Sequence, residues 1–218
     1  MEAALGPRHL TRLARVIYSR GRPLSLHERL TTVYRPLYAP LDAVLRWVPE
    51  GATMLDVGCG TGTLLLLADR VRRLTRGFGH DVRAEPLAVA RAVADPARIE
   101  LVCSAEVPAA MIREAQVVSV VDVLHHVPRA TRAGFIAGLL AEASPGATFI
   151  FKDLDPRPRW RGLANRVTDW ISTRSRVDYL SMDELAATLA RHGFDVLERR
   201  RLHKHVWSHY LVVGRRPA

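Results

Sequence analysis

The sequence predicts an α/β fold built on a doubly wound, mostly parallel sheet, and three observations carry this prediction. A short apolar run over 54–57 leads into a glycine-rich loop over 58–62, and an apolar helical pattern begins directly after it. From residue 76 onwards, strand-like and helix-like patterns alternate along the chain. The run 115–121 is dominated by valine, which is typical of a central strand buried on both faces. Such a succession predicts parallel strands joined by right-handed crossovers.

The residues before the glycine loop are predicted to form a helical N-terminal cover. Residues 8–20 place Leu10, Leu13, Ala14 and Ile17 on one helical face, and a Gly-Arg-Pro triplet ends that helix. Further helical patterns cover 26–38 and 41–48. We therefore divide the chain into a cover over 1–50 and a main domain over 51–218.

The main domain is predicted element by element from its apolar patterns and its turn residues. Strands are expected at 76–81, 99–103, 115–121, 147–152, 194–201 and 206–213, with helices at 85–93 and 131–143. An insertion over 153–180 interrupts this alternation and contains an amphipathic helical pattern. Ser181 and Glu184 form a capping box that starts a last helix, which Gly193 ends.

Composition narrows the class of protein. The 218 residues are 48% hydrophobic, enough for a core, yet they contain no run of ~18 apolar residues that would span a membrane. Two cysteines, Cys59 and Cys103, are too few for a disulfide framework or a metal cluster, so we expect buried thiols in a cytoplasmic protein and no metal. The net charge of +10 suggests an acidic partner, but no basic stretch interleaved with aromatic residues supports nucleic acid.

The glycine loop carries the chemistry that is easiest to interpret. Its sequence is Asp-Val-Gly-Cys-Gly-Thr-Gly over 56–62, and the third glycine comes one position too early for the G-x-G-x-x-G dinucleotide-binding motif. It resembles the nucleoside-binding loop of the class I S-adenosylmethionine (SAM) dependent methyltransferases. The resemblance covers about residues 45–214 and implies a Rossmann-like seven-stranded sheet whose last strand is antiparallel.

The resemblance also implies which residues hold SAM and its product S-adenosylhomocysteine. Asp81, at the end of the second strand, is expected to accept both ribose hydroxyls, and Val82 to pack on the adenine. Ser104 occupies a position where the family often has an aspartate. The backbone N–H of Ala105 is therefore the group expected to bind the adenine ring here. The full cofactor-binding set is Asp56, Gly58, Cys59, Gly60, Gly62, Asp81, Val82, Ser104, Ala105 and Asp122.

Two polar clusters that follow strands are candidates for catalysis. The stretch from Asp122 to His126 resembles the Asp-x-Leu-His-His loop of many small-molecule methyltransferases, and His125 is a candidate general base with His126 beside it. Either histidine can instead shape the pocket by binding a backbone carbonyl. Asp153 is the competing base or an orienting group, with the alternative that it belongs to an ion-paired loop.

Substrate contacts are expected from the cover and from the insertion, since such segments select the acceptor in this family. The candidates are Tyr34, Tyr38, Lys152, Asp155, Trp160 and Asn165. The aromatic and aliphatic members of these segments equally suit ordinary core packing. Three C-terminal histidines suit a solvated strand better than a metal site.

Together these features predict a cytoplasmic SAM-dependent methyltransferase acting in biosynthesis on a small-molecule or lipid-like acceptor, at oxygen. Two alternatives remain open: an RNA methyltransferase, and a SAM-binding partner protein that transfers nothing. Peripheral membrane contact through the arginine-rich segments 8–20 and 160–174 is a further hypothesis.

Overall fold

The computed structural model describes residues 6–155, 179–204 and 207–218 of the chain. The strands are β1 (Thr53–Val57), β2 (Arg76–Asp81), β3 (Ile99–Cys103), β4 (Val117–Val121), β5 (Thr148–Leu154), β6 (Asp195–Lys204) and β7 (Trp207–Arg215). The helices are α1 (Pro7–Tyr18), α2 (Leu26–Thr31), α3 (Arg35–Tyr38), α4 (Leu41–Leu45), α5 (Thr63–Arg72), α6 (Ala84–Arg91), α7 (Ala109–Glu114), α8 (Arg129–Ala141) and α9 (Met182–Arg191).

The described strands form one seven-stranded sheet in the order β3-β2-β1-β4-β5-β7-β6. Strands β1, β2 and β3 are parallel, whereas β7 runs antiparallel to both β5 and β6. The predicted fold class is therefore confirmed, including the antiparallel last strand. Among the described residues, no helix is both long and apolar enough to cross a lipid bilayer.

The chain divides into two compact units, Met1–Val118 and Ser119–Ala218. The first unit contains the glycine loop together with the N-terminal helices. Its core includes the parallel strands β1 and β2 beyond their first residues, together with the buried leucines of α5 from Leu64 to Leu67. The predicted division at residue 50 stays a prediction.

Helix α1 uses its apolar face inside the first unit. Leu10, Ala14 and Tyr18 follow one another at four-residue spacing and are all buried, and α1 contacts α3, α4 and α5. The helix predicted over 26–38 is two helices, α2 and α3. Pro36 lies in the first turn of α3, where its missing N–H costs nothing, so it starts a new helix instead of continuing the old one.

The second unit holds β5, β6 and β7 with helices α8 and α9. In the β5–β7 pairing, Asp153 lies opposite Tyr210, which places both side chains on the same face of the sheet. The predicted capping box is present at the start of α9: Ser181 Oγ accepts from Glu184 N, and the Glu184 carboxylate accepts from Ser181 N. Gly193 follows α9 with a φ of 78°, as a helix-ending glycine requires.

Two details of the first unit differ from the sequence expectation. Helix α7 was not predicted, because its six residues are too few to show a helical period. Cys103 is exposed, not buried, whereas Cys59 is buried as expected. Cys103 is the last residue of β3, which lies at the edge of the sheet and has a neighbouring strand on one side only.

Candidate active site

The glycine loop between β1 and α5 has the backbone conformation that its sequence suggests. Gly58, Gly60 and Gly62 have φ values of 69°, 56° and 76°, in the left-handed region that side chains disfavour. Gly62 is also the N-cap of α5, and a Cβ on it would approach Ala90 Cβ at 3.0 Å. The three glycines are therefore required by conformation, and the third also by packing.

Asp81 lies directly against this loop. Its Oδ2 accepts a hydrogen bond from Gly60 N at 2.8 Å, and its Oδ1 accepts one from Arg83 N at 2.9 Å. The residue is only 5% exposed. A Cβ placed on Gly60 would come 4.0 Å from Asp81 Oδ2, so bare backbone and a buried carboxylate face each other here.

The N-terminal helices are tied to the same loop by hydroxyl groups. Tyr18 Oη donates to the carbonyl of Thr61 at 2.7 Å and lies 3.4 Å from Thr63 Oγ1. Thr32 Oγ1 donates to Thr61 Oγ1 at 3.1 Å. Burial raises the pKa of Tyr18, so the hydroxyl keeps its proton and remains a donor. Sequence reasoning missed Tyr18 and Thr32, although Tyr18 continues the apolar face of α1.

The other predicted cofactor residues of the first unit occupy varied environments. Asp56 is buried within β1. Burial, and then the carboxylates of Asp56 and Asp81, raise the pKa of the Cys59 thiol, which is therefore protonated. Ser104 Oγ donates to the carbonyl of Glu106 at 2.6 Å, and the side chain of Val82 is 65% exposed. Their roles, like that of Ala105, stay predictions.

The predicted cover tyrosines make contacts within the N-terminal segment. Tyr38 Oη donates to the carbonyl of Leu30 at 3.2 Å, and the guanidinium of Arg15 lies 6.0 Å from the centroid of the Tyr34 ring. Trp160 and Asn165, also predicted to contact substrate, lie outside the described residues. A substrate role for these four residues stays a prediction.

In the second unit, His125 and Asp153 form a buried hydrogen-bonded pair. His125 Nδ1 contacts Asp153 Oδ1, and His125 N donates to Asp153 Oδ2 at 3.2 Å. Leu154 N donates to Asp153 Oδ1 at 2.7 Å, which fixes the carboxylate further. Because an ionised carboxylate only accepts, the pair places the ring proton on Nδ1 and the lone pair of the neutral ring on Nε2. The sequence offered these residues as competing bases, and the geometry makes them partners.

Rings flank this pair. The His126 ring centroid lies 4.0 Å from that of His125, and the Tyr179 centroid lies 6.2 Å from it. His126 is exposed whereas His125 is 6% exposed, so the two neighbouring histidines differ in their access to water. The buried ring is the one that has a carboxylate partner to set its tautomer.

A second charge pair lies beside the first, between Lys152 in β5 and Asp122, which directly follows β4. Lys152 is fully buried, and its Nζ lies 2.6 Å from Asp122 Oδ1. Asp122 N also donates to the Lys152 carbonyl at 2.9 Å, and Asp122 has a φ of 58°, rare for a residue with a side chain. Strain of this kind collects at functional sites. The roles predicted for these residues, cofactor contact for Asp122 and substrate contact for Lys152, stay predictions.

Asp155 and Tyr210 extend the polar cluster across the sheet. Arg201 Nε lies 3.0 Å from Asp155 Oδ2, and Asp155 is only 2% exposed. Tyr210 is fully buried, and within the described part of the chain its Oη has no hydrogen-bond partner. Burial raises the pKa of Tyr210, and the carboxylate of Asp153 raises it further, so this phenol stays protonated.

No group of three or more His, Cys, Asp or Glu side chains suited to a metal ion occurs among residues 6–155, 179–204 and 207–218.

Comparison with known proteins agrees with this picture. A family model described as a methyltransferase domain matches residues 28–199. A ubiquinone biosynthesis O-methyltransferase of Acinetobacter baumannii (strain AYE) is 27% identical over 137 residues, 58% of this chain and 56% of the relative. A 2-phytyl-1,4-naphtoquinone methyltransferase of Thermosynechococcus vestitus is 42% identical over 83 residues, 33% of this chain and 37% of the relative. The chain thus matches little more than half the length of the first relative and about a third of the second.

Solved structures show the same fold. A SAM-dependent methyltransferase from Mesorhizobium loti superposes with a TM-score of 0.66 at 21% identity, covering 81% of this chain and 96% of that one. The magnesium protoporphyrin IX methyltransferase of Synechocystis PCC 6803, solved with bound S-adenosylhomocysteine, has a TM-score of 0.64 at 16% identity, covering 99% and 97%. Identities this low bear on the fold alone.

Because the family model matches most of the chain, the protein belongs to the methyltransferase domain family. The class I resemblance of the glycine loop is thereby confirmed, and SAM is the cofactor of this class. The first unit fits that cofactor. Each oxygen of Asp81 accepts one backbone hydrogen bond and has a further lone pair, so the carboxylate can also accept two ribose hydroxyls.

Proposed function

We propose that this protein transfers a methyl group from SAM to a hydroxyl oxygen of a small, lipid-like acceptor in a biosynthetic pathway, with a phenolic or quinol ring as the acceptor class. The observation that carries the proposal is the buried His125–Asp153 pair. An oxygen nucleophile needs a base to remove its proton, and a histidine whose Nδ1 proton is held by a carboxylate presents its lone pair at Nε2 for that task.

The relatives support the acceptor class. One is named for O-methylation in ubiquinone biosynthesis and another for methylation of a phytyl naphthoquinone. Both names describe rings with oxygen substituents and a lipid tail. A second Acinetobacter relative, from A. baylyi, also carries the ubiquinone O-methyltransferase name and is 24% identical over 80% of this chain.

The proposed chemistry divides among the chain's own residues. When bound, SAM supplies a methyl group that its sulfonium already activates. His125 then accepts the acceptor's hydroxyl proton at Nε2, and Asp153 stabilises the imidazolium that forms and keeps the ring oriented. Alignment of the acceptor with the methyl group contributes more to the rate than proton removal does, because two bound and aligned reactants react as if they were one molecule.

Tyr210 is the residue we propose for orienting the acceptor. Its buried hydroxyl stays protonated and, among the described residues, finds no partner. A buried donor without a partner is costly, and an acceptor with a second oxygen, as in a catechol or quinol ring, would supply one. Asp153 lies opposite Tyr210 in the sheet, which keeps this donor close to the histidine's partner.

The test is a transfer assay with methyl-labelled SAM against a panel of acceptors. The panel holds a catechol with a prenyl tail, the same catechol without its tail, an unrelated phenol and a bulk RNA preparation. We expect label in the tailed catechol first. Label in RNA alone would favour an RNA methyltransferase, which the net charge of +10 suggested. Tight S-adenosylhomocysteine binding without transfer to any acceptor would favour a non-catalytic partner protein.

A further inference from the structure

The N-terminal segment exposes several large apolar side chains to solvent. The described residues include six exposed large hydrophobic side chains: Val16, Leu26, Leu30, Leu37, Val82 and Leu197. The first four of these lie within 22 residues of sequence, on α1, α2 and α3. Large contiguous patches of exposed apolar surface mark interaction sites, whereas single exposed apolar residues are ordinary.

Helix α2 is the centre of this surface. All six of its residues are exposed or half-buried, and Leu26 and Leu30, 74% and 48% exposed, lie on one face at i and i+4. The helix nevertheless has a complete capping box, in which Ser25 Oγ accepts from Glu28 N and the Glu28 carboxylate accepts from Ser25 N. A helix of only one or two turns is marginally stable by itself. The capping box therefore stabilises a helix whose two exposed leucines contribute little to the core.

The same surface is joined to α3 and is strongly basic. Tyr38 Oη donates to the carbonyl of Leu30, which links α3, with the exposed Leu37, to the end of α2. Helix α1, helix α2 and the residues between them also carry exposed arginines: Arg8, Arg12, Arg15, Arg20, Arg22 and Arg29. Acidic side chains among residues 6–41 of the described chain are limited to Glu28, which pairs with Arg22.

We propose that this leucine–arginine surface docks the protein on the face of an anionic lipid bilayer. Leucines next to arginines suit the boundary between acyl chains and headgroups, where the leucines enter the apolar layer and the guanidinium groups meet lipid phosphates. Nucleic acid would use the arginines but would leave the leucines in water. The surface includes arginines of the segment 8–20 that the sequence suggested, but its leucines lie on α2 and α3, because the apolar face of α1 is buried inside the first unit. The other suggested segment, 160–174, lies outside the described residues.

Docking would deliver a lipid-like acceptor to the enzyme, and in that respect the inference rests on the proposed function. The docking itself does not depend on catalysis. It requires only that the N-terminal segment be folded as described, and helix α1 is anchored to the glycine loop through Tyr18. A membrane on the outer side of α2 would therefore contact a segment that is already fixed to the proposed cofactor loop.

The experiment is co-sedimentation of the full chain with vesicles of phosphatidylcholine, with and without phosphatidylglycerol. We expect binding to the anionic vesicles at low salt that weakens as salt rises. The double substitution Leu26→Ser with Leu30→Ser should weaken binding by at least ~10-fold, since two leucines no longer enter the apolar layer. Arg29→Glu should weaken it by at least roughly fivefold.

The matched control is Leu197→Ser, which removes an exposed leucine of similar accessibility, 43% against 48% for Leu30, from strand β6. It should leave vesicle binding unchanged. Wild-type protein that stays in the supernatant with anionic vesicles at low salt would overturn the proposal. So would a control that loses as much binding as the leucine pair, or vesicle binding that RNA displaces and the leucine substitutions do not alter.

Readouts for lipid and for catalysis keep the two proposals separate. Each variant is also measured for S-adenosylhomocysteine affinity and for transfer to an acceptor without a tail. Failed vesicle binding with these two values intact would overturn the docking surface alone. Intact vesicle binding without transfer to any acceptor would overturn the proposed function alone.

Discussion

His125 Nδ1 makes a hydrogen bond with Asp153 Oδ1, joining the loop after β4 to the end of β5. The backbone N–H of His125 also donates to the same carboxylate, so ring and main chain are held together. Two residues that are 28 positions apart thus act as one unit. This relationship decides which mutations should behave alike.

His125→Ala should lower kcat by ~10²-fold or more with S-adenosylhomocysteine affinity nearly intact, because the proton acceptor is gone. Asp153→Asn should slow the reaction as well, since an amide no longer selects one ring tautomer. The double variant should be little slower than His125→Ala, because the second change acts through the first. Single-turnover kinetics would measure all three.

His126→Ala is the comparison for this prediction, because it removes the exposed neighbouring ring instead of the buried one. If His126→Ala is the slower variant, the base is assigned to the wrong histidine. If none of these changes slows turnover even tenfold, proton removal is not limiting and the enzyme works by positioning alone.

Asp81→Ala should weaken S-adenosylhomocysteine binding by roughly 10- to 100-fold, since the carboxylate both orders the loop at Gly60 and is predicted to accept the ribose hydroxyls. Isothermal titration calorimetry measures this directly. Glu85→Ala is the control, as it removes an exposed acid from the first turn of α6. Equal affinities for wild type and Asp81→Ala would remove Asp81 from the ribose assignment.

Tyr18→Phe should weaken cofactor binding by roughly threefold to tenfold, although Tyr18 is assigned no contact with the cofactor. The change deletes the hydrogen bond that ties α1 to Thr61 in the glycine loop. Tyr38→Phe is the matched control, because its hydroxyl bonds to Leu30 within the N-terminal segment. A Tyr18→Phe protein that binds like wild type would show that the cover and the loop are energetically independent.

His80 should make stability depend on pH. Burial lowers the pKa of His80, with the carbonyl of Ser104 partly opposing that shift. Between the lowered folded value and the unfolded value of ~6.5, the unfolded chain binds more protons. The free energy of unfolding should therefore fall as pH drops below about 6.5. Urea titrations of wild type and His80→Gln would check this: the variant should flatten the slope, and an unchanged slope would contradict the assignment.

Patterns that act over a few residues predicted much of the fold. The limits of β2 and β3 agree with expectation. In β3 the strand-forming residues Ile99 and Val102 act locally, so a short stretch of sequence is enough to predict the strand. The capping box of α9 and the helix-ending Gly193 were likewise readable from neighbouring side chains. The six-residue helix α7 was missed because it is shorter than the window in which periodicity can be recognised.

Hydrogen bonds between residues far apart in the chain could not be predicted from the sequence. Tyr18 meets Thr61 across 43 residues and Thr32 meets the same threonine across 29, and no local pattern pairs them. The pairing of His125 with Asp153 was hidden for the same reason, so the two appeared as alternatives. The sequence did predict that both residues follow parallel strands, whose carboxyl ends lie at one edge of a sheet. In the structure His125 follows β4, and Asp153 is near the end of β5.

The central claim is that the methyl group goes to an oxygen of a lipid-like acceptor, and one measurement tests it most directly. The protein is incubated with ¹³C-methyl SAM and a prenylated catechol, and the product is examined by NMR. We expect one labelled methyl resonance with the shift and long-range carbon coupling of an aryl O-methyl group, lost in His125→Ala. A labelled methyl bonded to ring carbon or to nitrogen, or labelled product at the same rate in His125→Ala, would contradict the account.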